Sequence, residues 1–185
     1  MEIWDLYTKD RVRTGRQIRR GEPVPAGFCH LVVHICVFND RGQMLIQQRQ
    51  PFKDGWPNYW DVSTGGSALA GETSAQAAER ELFEEIGLRL DFSALRPSFS
   101  VNFSFGFDDF YLVRKNVDLS ALTLQPEEVQ AVRWADCDEI FDMIDLGLFI
   151  PYHRSLISLL FYMRDHRGTL TMADPTAPDS AQQNT

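Results

Sequence analysis

Apolar and polar positions alternate weakly over Glu2 to Tyr7 and again over Val12 to Ile18, the second run broken by Gly15. Two short strands are expected there, joined by a turn at Thr8-Lys9-Asp10. Pro23 and Pro25 make residues 21–27 an extended linker. His30 to Phe38 is a run of Val, Ile and Leu with the pattern of a buried strand. Asn39-Asp40-Arg41-Gly42 turns the chain and Met44 to Gln48 returns, which predicts a hairpin. Pro51 to Tyr59 reads as a loop, and Trp60 to Thr64 as a short strand ended by Gly65-Gly66. Ala75, Ala78, Leu82 and Ile86 then recur at helical spacing and predict a helix over Ser74 to Ile86, stopped by Gly87. Phe99 to Phe105 alternates as a half-buried strand, Gly106 to Asp109 reads as a turn, and Phe110 to Arg114 runs on as a strand. A strand over Val129 to Trp134, a short helix over Asp138 to Ile144 and a helix over Pro151 to Asp165, with proline at its start, complete the pattern. Strands, hairpins and helices interleaved in this way predict a mixed sheet with helices on both faces.

The expected organisation is a hairpin extension and linker over residues 1–28, one folded domain over 29–167 and a disordered tail over 168–185. A length of 185 residues suits one domain, and 44% apolar residues with 13 phenylalanines supply a core. The net charge of −8, with Arg and Lys scattered apart from Arg19-Arg20, excludes a nucleic-acid polymer as partner. It leaves room for a small phosphorylated ligand reached through a cation. Cys29, Cys36 and Cys137 form no C-x-x-C pair and no disulfide framework, so buried thiols in a reducing compartment are expected. The opening Met1-Glu2-Ile3-Trp4-Asp5 is not a signal peptide, and no apolar stretch approaches the roughly 20 residues of a membrane span. The expectation is a cytoplasmic protein without membrane association. A homodimer formed through the amino-terminal hairpin would be announced by no motif.

The chemistry is concentrated in one segment: Gly66, five residues, Glu72, seven residues, then Arg80-Glu81-Leu82-Phe83-Glu84-Glu85-Ile86-Gly87-Leu88. Glu81, Glu84 and Glu85 stand at i, i+3 and i+4 and share one face of the expected helix. Their repulsion is tolerable if divalent cations sit among them, and hard oxygen ligands suit Mg²⁺ or Mn²⁺ rather than zinc. A solvated acidic face would show the same three residues. Gly65-Gly66, ahead of the helix, adds backbone that can approach a ligand closely. The whole has the form of a phosphate-and-metal site built from a loop and a helix face.

This segment resembles the Nudix box at every fixed position, including the aliphatic Leu82 and Leu88. The resemblance implies an α/β fold, an α/β/α sandwich around a mixed sheet, and hydrolysis of a diphosphate joined to another group. It implies that Glu81, Glu84, Glu85 and the carbonyl of Gly65 are metal ligands, Glu81 being also the base in some members. Glu72 and Arg80 would pair and support the site by holding the loop against the helix. Mg²⁺ or Mn²⁺ would offset the repulsion between diphosphate and carboxylates while an activated water attacks phosphorus in line. Family members often place a further acid on a loop outside the box, which points to Glu127 or Glu128 and makes Glu128 the candidate base. Asp108 and Asp109, at the expected turn, are weaker candidates.

A looser resemblance covers most of residues 1–165. His30-Leu31-Val32, Asn39 to Leu45, Gln48-Arg49, Lys53, Trp56-Pro57 and Trp60 are similar to the type I isopentenyl diphosphate isomerase branch. It implies that Arg49 and Lys53 bind the diphosphate and that His30 occupies a metal-ligand position. The likeness breaks where the isomerase does its chemistry. Gly65 stands in place of the catalytic cysteine, and Gly66-Ser67 in place of a glycine and a metal-binding histidine. Without that partner His30 is expected to be structural, and His34, His153 and His166 to have no site role. Trp56, Tyr59, Trp60, Phe103 and Phe105 either fill the core or line a pocket for a base or a prenyl chain. The complete box favours metal-assisted hydrolysis of a small nucleoside-diphosphate-type or related substrate. The alternatives are an isomerase-like enzyme or prenyl diphosphate hydrolase, and a non-catalytic ligand-sensing domain, a class that usually loses box carboxylates.

Overall fold

The structure, a computed structural model, describes residues 2–166 and Gly168; the tail expected over 168–185 otherwise lies outside the described residues. In chain order the elements are β1 (Ile3–Tyr7), β2 (Arg13–Arg19), β3 (His30–Phe38), β4 (Met44–Arg49), β5 (Trp60–Asp61), β6 (Thr64–Ser67) and α1 (Ser74–Ile86). They continue with β7 (Phe99–Phe103), β8 (Gly106–Arg114), β9 (Val129–Ala135), α2 (Cys137–Asp145) and α3 (Arg154–Met163). β1 and β2 form a separate antiparallel pair. The other strands form one mixed sheet, in which β3 runs parallel to β8 along its whole length and antiparallel to β6. β4 lies between β5 and β9, and β7 closes the edge beyond β8.

Side chains alternate across a strand, so one strand can feed two cores. Leu31, Val33, Ile35 and Val37 of β3 pack on the α1 side with Ala77, Ala78, Leu82 and Ile86. Cys36 and Phe38 of the same strand pack on the opposite side with Ile140 and Met143 of α2 and Ile157, Leu160 and Phe161 of α3. The result is the helix–sheet–helix sandwich expected from the interleaved pattern. α1 has the predicted bounds: Thr73 and Gln76 form a reciprocal capping box at its start, and Gly87, at φ 73°, caps its end in the left-handed region.

Four local expectations are corrected. Gly65 and Gly66 do not end a strand; they lie inside β6, opposite His34 and Val33 of β3. A Cβ on Gly65 would stand 2.8 Å from the Val33 carbonyl oxygen, so the close approach of two backbones, not a turn, demands glycine here. The turn expected over Gly106 to Asp109 lies earlier, at Ser104-Phe105, and Asp108 and Asp109 stand within β8. Parallel pairing of Gly106–Asp109 with His30–Val33 overrides the turn propensity of Gly and Asp. β7 is an edge strand whose middle three residues are exposed, not a half-buried one. The last helix begins at Arg154 rather than at Pro151.

The predicted β3–β4 hairpin forms but splays after the single pair Phe38–Met44. The buried Ser63 stands between the strands. Its hydroxyl accepts from Val37 N at 2.8 Å and donates to Leu45 O at 2.6 Å, replacing the ladder with side-chain bonds. The splay sends β3 toward β6 and β4 toward β9, which opens the sheet beside α1.

Candidate active site

α1 presents its carboxylates to the open end of β3, β4 and β6. Glu85 is only 4% exposed; Gln47 Nε2 of β4 donates to its Oε2 at 2.9 Å and Gly65 N at 3.4 Å. Burial, reinforced by the charge of Glu81, raises its pKa well above the carboxylate range. Glu81 lies so close to β6 that any Cβ on Gly66 would overlap its carboxylate. Burial raises Glu81 to about 7 against the opposing pull of Arg80. Glu84, further out and half exposed, accepts from Arg80 Nη1 at 2.9 Å.

Arg80 organises the cluster. Its Nε and Nη2 grip both oxygens of Glu72 at 2.7 and 3.1 Å, Nη2 also reaches Ser67 O at 3.1 Å, and Nη1 donates to Glu81 Oε1 at 2.9 Å. Glu72 in turn accepts from Leu69 N at 2.8 Å, so loop and helix are tied together as expected from their pairing. Burial works against the Arg80 charge, but its partners outweigh it and keep the guanidinium ionised.

Arg80, Glu81, Glu84 and Glu85 line one cleft of about 290 Å³ together with Arg49 and Lys53. Glu128 lines it too, held by Lys53 at 2.5 Å, so the candidate base and a candidate phosphate-binding cation are each other's partners. Glu127 is exposed and outside the cleft. Arg49 donates to Gly55 O at 2.9 Å and stands 4.0 Å from Asp61. The hairpin adds Trp4 and the ion pair Glu2–Arg20 to the rim.

The oxygen donors suit a hard divalent cation, and Gln47 Oε1, on the amide that bonds Glu85, is buried without a partner. Among the described residues no three acidic, histidine or cysteine side chains converge on one point. Arg80 holds Glu81 and Glu84 while Gln47 holds Glu85. By donor chemistry and by their common cleft the residues fit such an ion.

A second cleft of about 370 Å³ opens from the first and shares Arg49, Gly65 and Gly66 with it. His34, Trp56, Phe103, Asp61, Asp108 and Tyr152 line it. His34 Nε2 lies 3.2 Å from Asp108 Oδ1, and Tyr152 donates to Asp61 at 2.9 Å. Sequence reasoning gave His34 no role and did not find Gln47, Asp61 or Tyr152. His34 and Asp108 meet only through the pairing of β3 with β8.

A model of the NUDIX domain matches residues 29–160. The chain belongs to the Nudix hydrolase family. A Nudix hydrolase of Listeria monocytogenes is 53% identical over 152 residues, 82% of this chain and 90% of that protein. An isopentenyl-diphosphate Delta-isomerase of Pectobacterium atrosepticum is 30% identical over 120 residues, 62% of this chain and 65% of that one. The crystal structure of DR0079 from Deinococcus radiodurans superposes with a TM-score of 0.69 at 28% identity, covering 86% of this chain and 97% of that one. The protein is thus a Nudix enzyme, from a family that generally works with divalent cations.

The remaining candidates of this Nudix domain separate cleanly. His30 is buried and stacked on Trp4 at 4.9 Å, with Nδ1 3.1 Å from Phe105 O, and burial lowers its pKa. It lines neither cleft. His153 stands at the N-cap of α3 but makes no side-chain bond to it, and His166 stacks on Tyr162. Of the five aromatics, Trp56 and Phe103 line the second cleft, Tyr59 packs on Trp56, Trp60 packs on the α2–α3 core and Phe105 packs on His30. Cys29 and Cys36 are buried, Cys137 is half-buried and all three are free. Among the described residues no helix is long and apolar enough to cross a membrane.

Proposed function

We propose that this Nudix hydrolase cleaves the diphosphate linkage of a small nucleoside-diphosphate-type or related substrate in the cytoplasm. One observation carries the reading: the acidic face of α1 and the cations Arg49 and Lys53 line the same cleft. Glu81, Glu84, Glu85 and the carbonyl of Gly65 are the groups that would hold Mg²⁺ or Mn²⁺. A cation held there would offset the charge of the diphosphate and polarise phosphorus.

The chain's own residues do the rest. Arg49 and Lys53 take phosphate oxygens and orient the linkage. A phosphate that draws Lys53 away frees Glu128, which then accepts the proton of the attacking water. Glu72 and Arg80 keep the loop and the carboxylates in register. The second cleft receives the organic group: Trp56 offers a flat face, while Asp61 and Asp108 accept from hydroxyl or amino donors. A prenyl chain offers no donor to the carboxylate oxygens that Tyr152 and His34 leave open, which favours the nucleoside side of the reading. Isomerisation is disfavoured at Gly65, where any Cβ would crowd the Val33 carbonyl and leave no room for a thiol unless backbone moved.

The test is incubation with nucleoside di- and triphosphates, nucleotide sugars, ADP-ribose, dinucleoside polyphosphates and prenyl diphosphates in Mg²⁺, products being read by mass. Hydrolysis that disappears in Glu85→Gln is expected. Isomerised isopentenyl diphosphate without phosphate release, or binding without turnover in either metal, would overturn it.

A further inference from the structure

The family match begins at residue 29, yet the loop of the box is held by residues that precede it. Ala70 N donates to Ile3 O at 2.7 Å. Asp5 of β1, 6% exposed, accepts from Gly71 N at 2.8 Å and from Gln17 Nε2 at 3.0 Å. Arg13 of β2 pairs with the same carboxylate at 3.2 Å; its Nη2 donates to Glu72 O at 2.5 Å and its Nη1 to Gly71 O at 3.5 Å. The hairpin therefore binds the N–H groups of Ala70 and Gly71 and the C=O groups of Gly71 and Glu72. From there the bonds continue: the Glu72 side chain holds Arg80, and Arg80 holds Glu81 and Glu84.

We infer that Asp5 and Arg13 are positioning residues of the active site, which set through Gly71 and Glu72 where Arg80 places Glu81 and Glu84. This rests on the assignment of the box glutamates as the cation's ligands. Outer partners that orient ligands act on metal affinity as well as on rate, whereas a hairpin that merely docks would act on stability alone. Thr14 separates the two roles, because its hydroxyl bonds Leu6 O at 2.7 Å inside the hairpin and touches no box residue.

The experiment measures Mn²⁺ binding without substrate, by the electron paramagnetic resonance of the free ion, alongside kcat, KM and melting temperature. The proteins are the wild type, Arg13→Ala, Arg13→Lys, Asp5→Asn, Thr14→Val and Glu85→Gln. Arg13→Ala and Asp5→Asn are expected to weaken Mn²⁺ binding and lower kcat about tenfold each, with KM within about twofold of wild type. Arg13→Lys should recover part of both losses, and it tests the inference even if Arg13→Ala fails to fold. Thr14→Val should lower the melting temperature while leaving Mn²⁺ binding and kcat in place. Folded Arg13→Ala and Asp5→Asn with wild-type Mn²⁺ affinity and kcat, or a Thr14→Val that loses as much, would overturn the inference. If Glu85→Gln loses Mn²⁺ and Arg13→Ala does not, the positioning role alone fails. If Glu85→Gln binds Mn²⁺ as the wild type does, the cation assignment fails first.

Discussion

The two clefts meet at Gly65 and Gly66 but are built in opposite ways. The first is crowded with charge: three carboxylates of one helix, a guanidinium that holds two of them, and Lys53 on Glu128. The second has no comparable cluster. Its charges are spread as a His34–Asp108 contact and a Tyr152–Asp61 bond among aromatic and aliphatic walls. A charged cleft stores unfavourable desolvation that the proposed cation and diphosphate would relieve, so small displacements there are expected to act on the rate. A mixed polar and aromatic cleft stores little, so changes there act on which organic group is admitted.

The sharpest break in the first cleft is Glu85→Gln, expected to lower kcat about 10³-fold, since one preorganised charge-stabilising group is worth roughly that much. Wild-type turnover in a steady-state assay would remove Glu85 from the chemistry. Gly66→Ala comes next. The added methyl overlaps only the end of the flexible Glu81 side chain, which can swing aside. Stability should hold while kcat falls about 10²-fold, the usual cost of about 1 Å of misplacement. A large drop in melting temperature with normal kcat would contradict the close approach.

In the second cleft Trp56→Ala and Asp108→Asn should raise KM for a nucleoside substrate by about tenfold or less while leaving kcat nearly unchanged, the pattern of lost uniform binding. A fall in kcat with constant KM would move these residues into the chemistry and erase the contrast between the clefts.

The smallest effect lies at the start of α1, where buried Asp109 accepts from Arg11, Ser100 and Ser74. Burial alone would raise its pKa, but these donors outweigh it and hold the group below the carboxylate range. A depressed folded-state pKa contributes stability above the unfolded value, near 3.9, that is lost as pH falls through the folded value. Arg11→Ala should therefore cost about 1–3 kcal/mol at neutral pH, and the deficit should shrink on acidification below about pH 4. Denaturant melts across that range check it; a pH-independent deficit would mean Asp109 is not the partner that matters.

Legibility follows the same division. The box was readable because Glu72, Arg80, Glu81, Glu84 and Glu85 lie within one loop and one helix, whose geometry is a local periodicity. The Glu72–Arg80 pair was expected; that Arg80 would also bind Glu81 and Glu84, and that Lys53 and Glu128, 75 positions apart, would bind each other, was not. Trp56 and Phe103 were readable as pocket walls, with the core as the alternative; the rest of the second cleft was hidden because it gathers β3, the loop before β5, β8 and the segment before α3. Gly65-Gly66 and Gly106 to Asp109 misled for one reason: glycine that marks a turn in isolation here marks backbone pressed against β3.

By itself the sequence determined the box, its helix with the glycine cap at its end, and the sandwich of a mixed sheet between helices, because capping, periodicity and short-range spacing are properties of neighbours along the chain. Only the tertiary structure decided the splay at Ser63, the cleft it opens, the second cleft and the grip of Asp5 and Arg13 on the box loop. Those depend on strand register and burial, which bring distant residues together and set what each charge costs once water is gone.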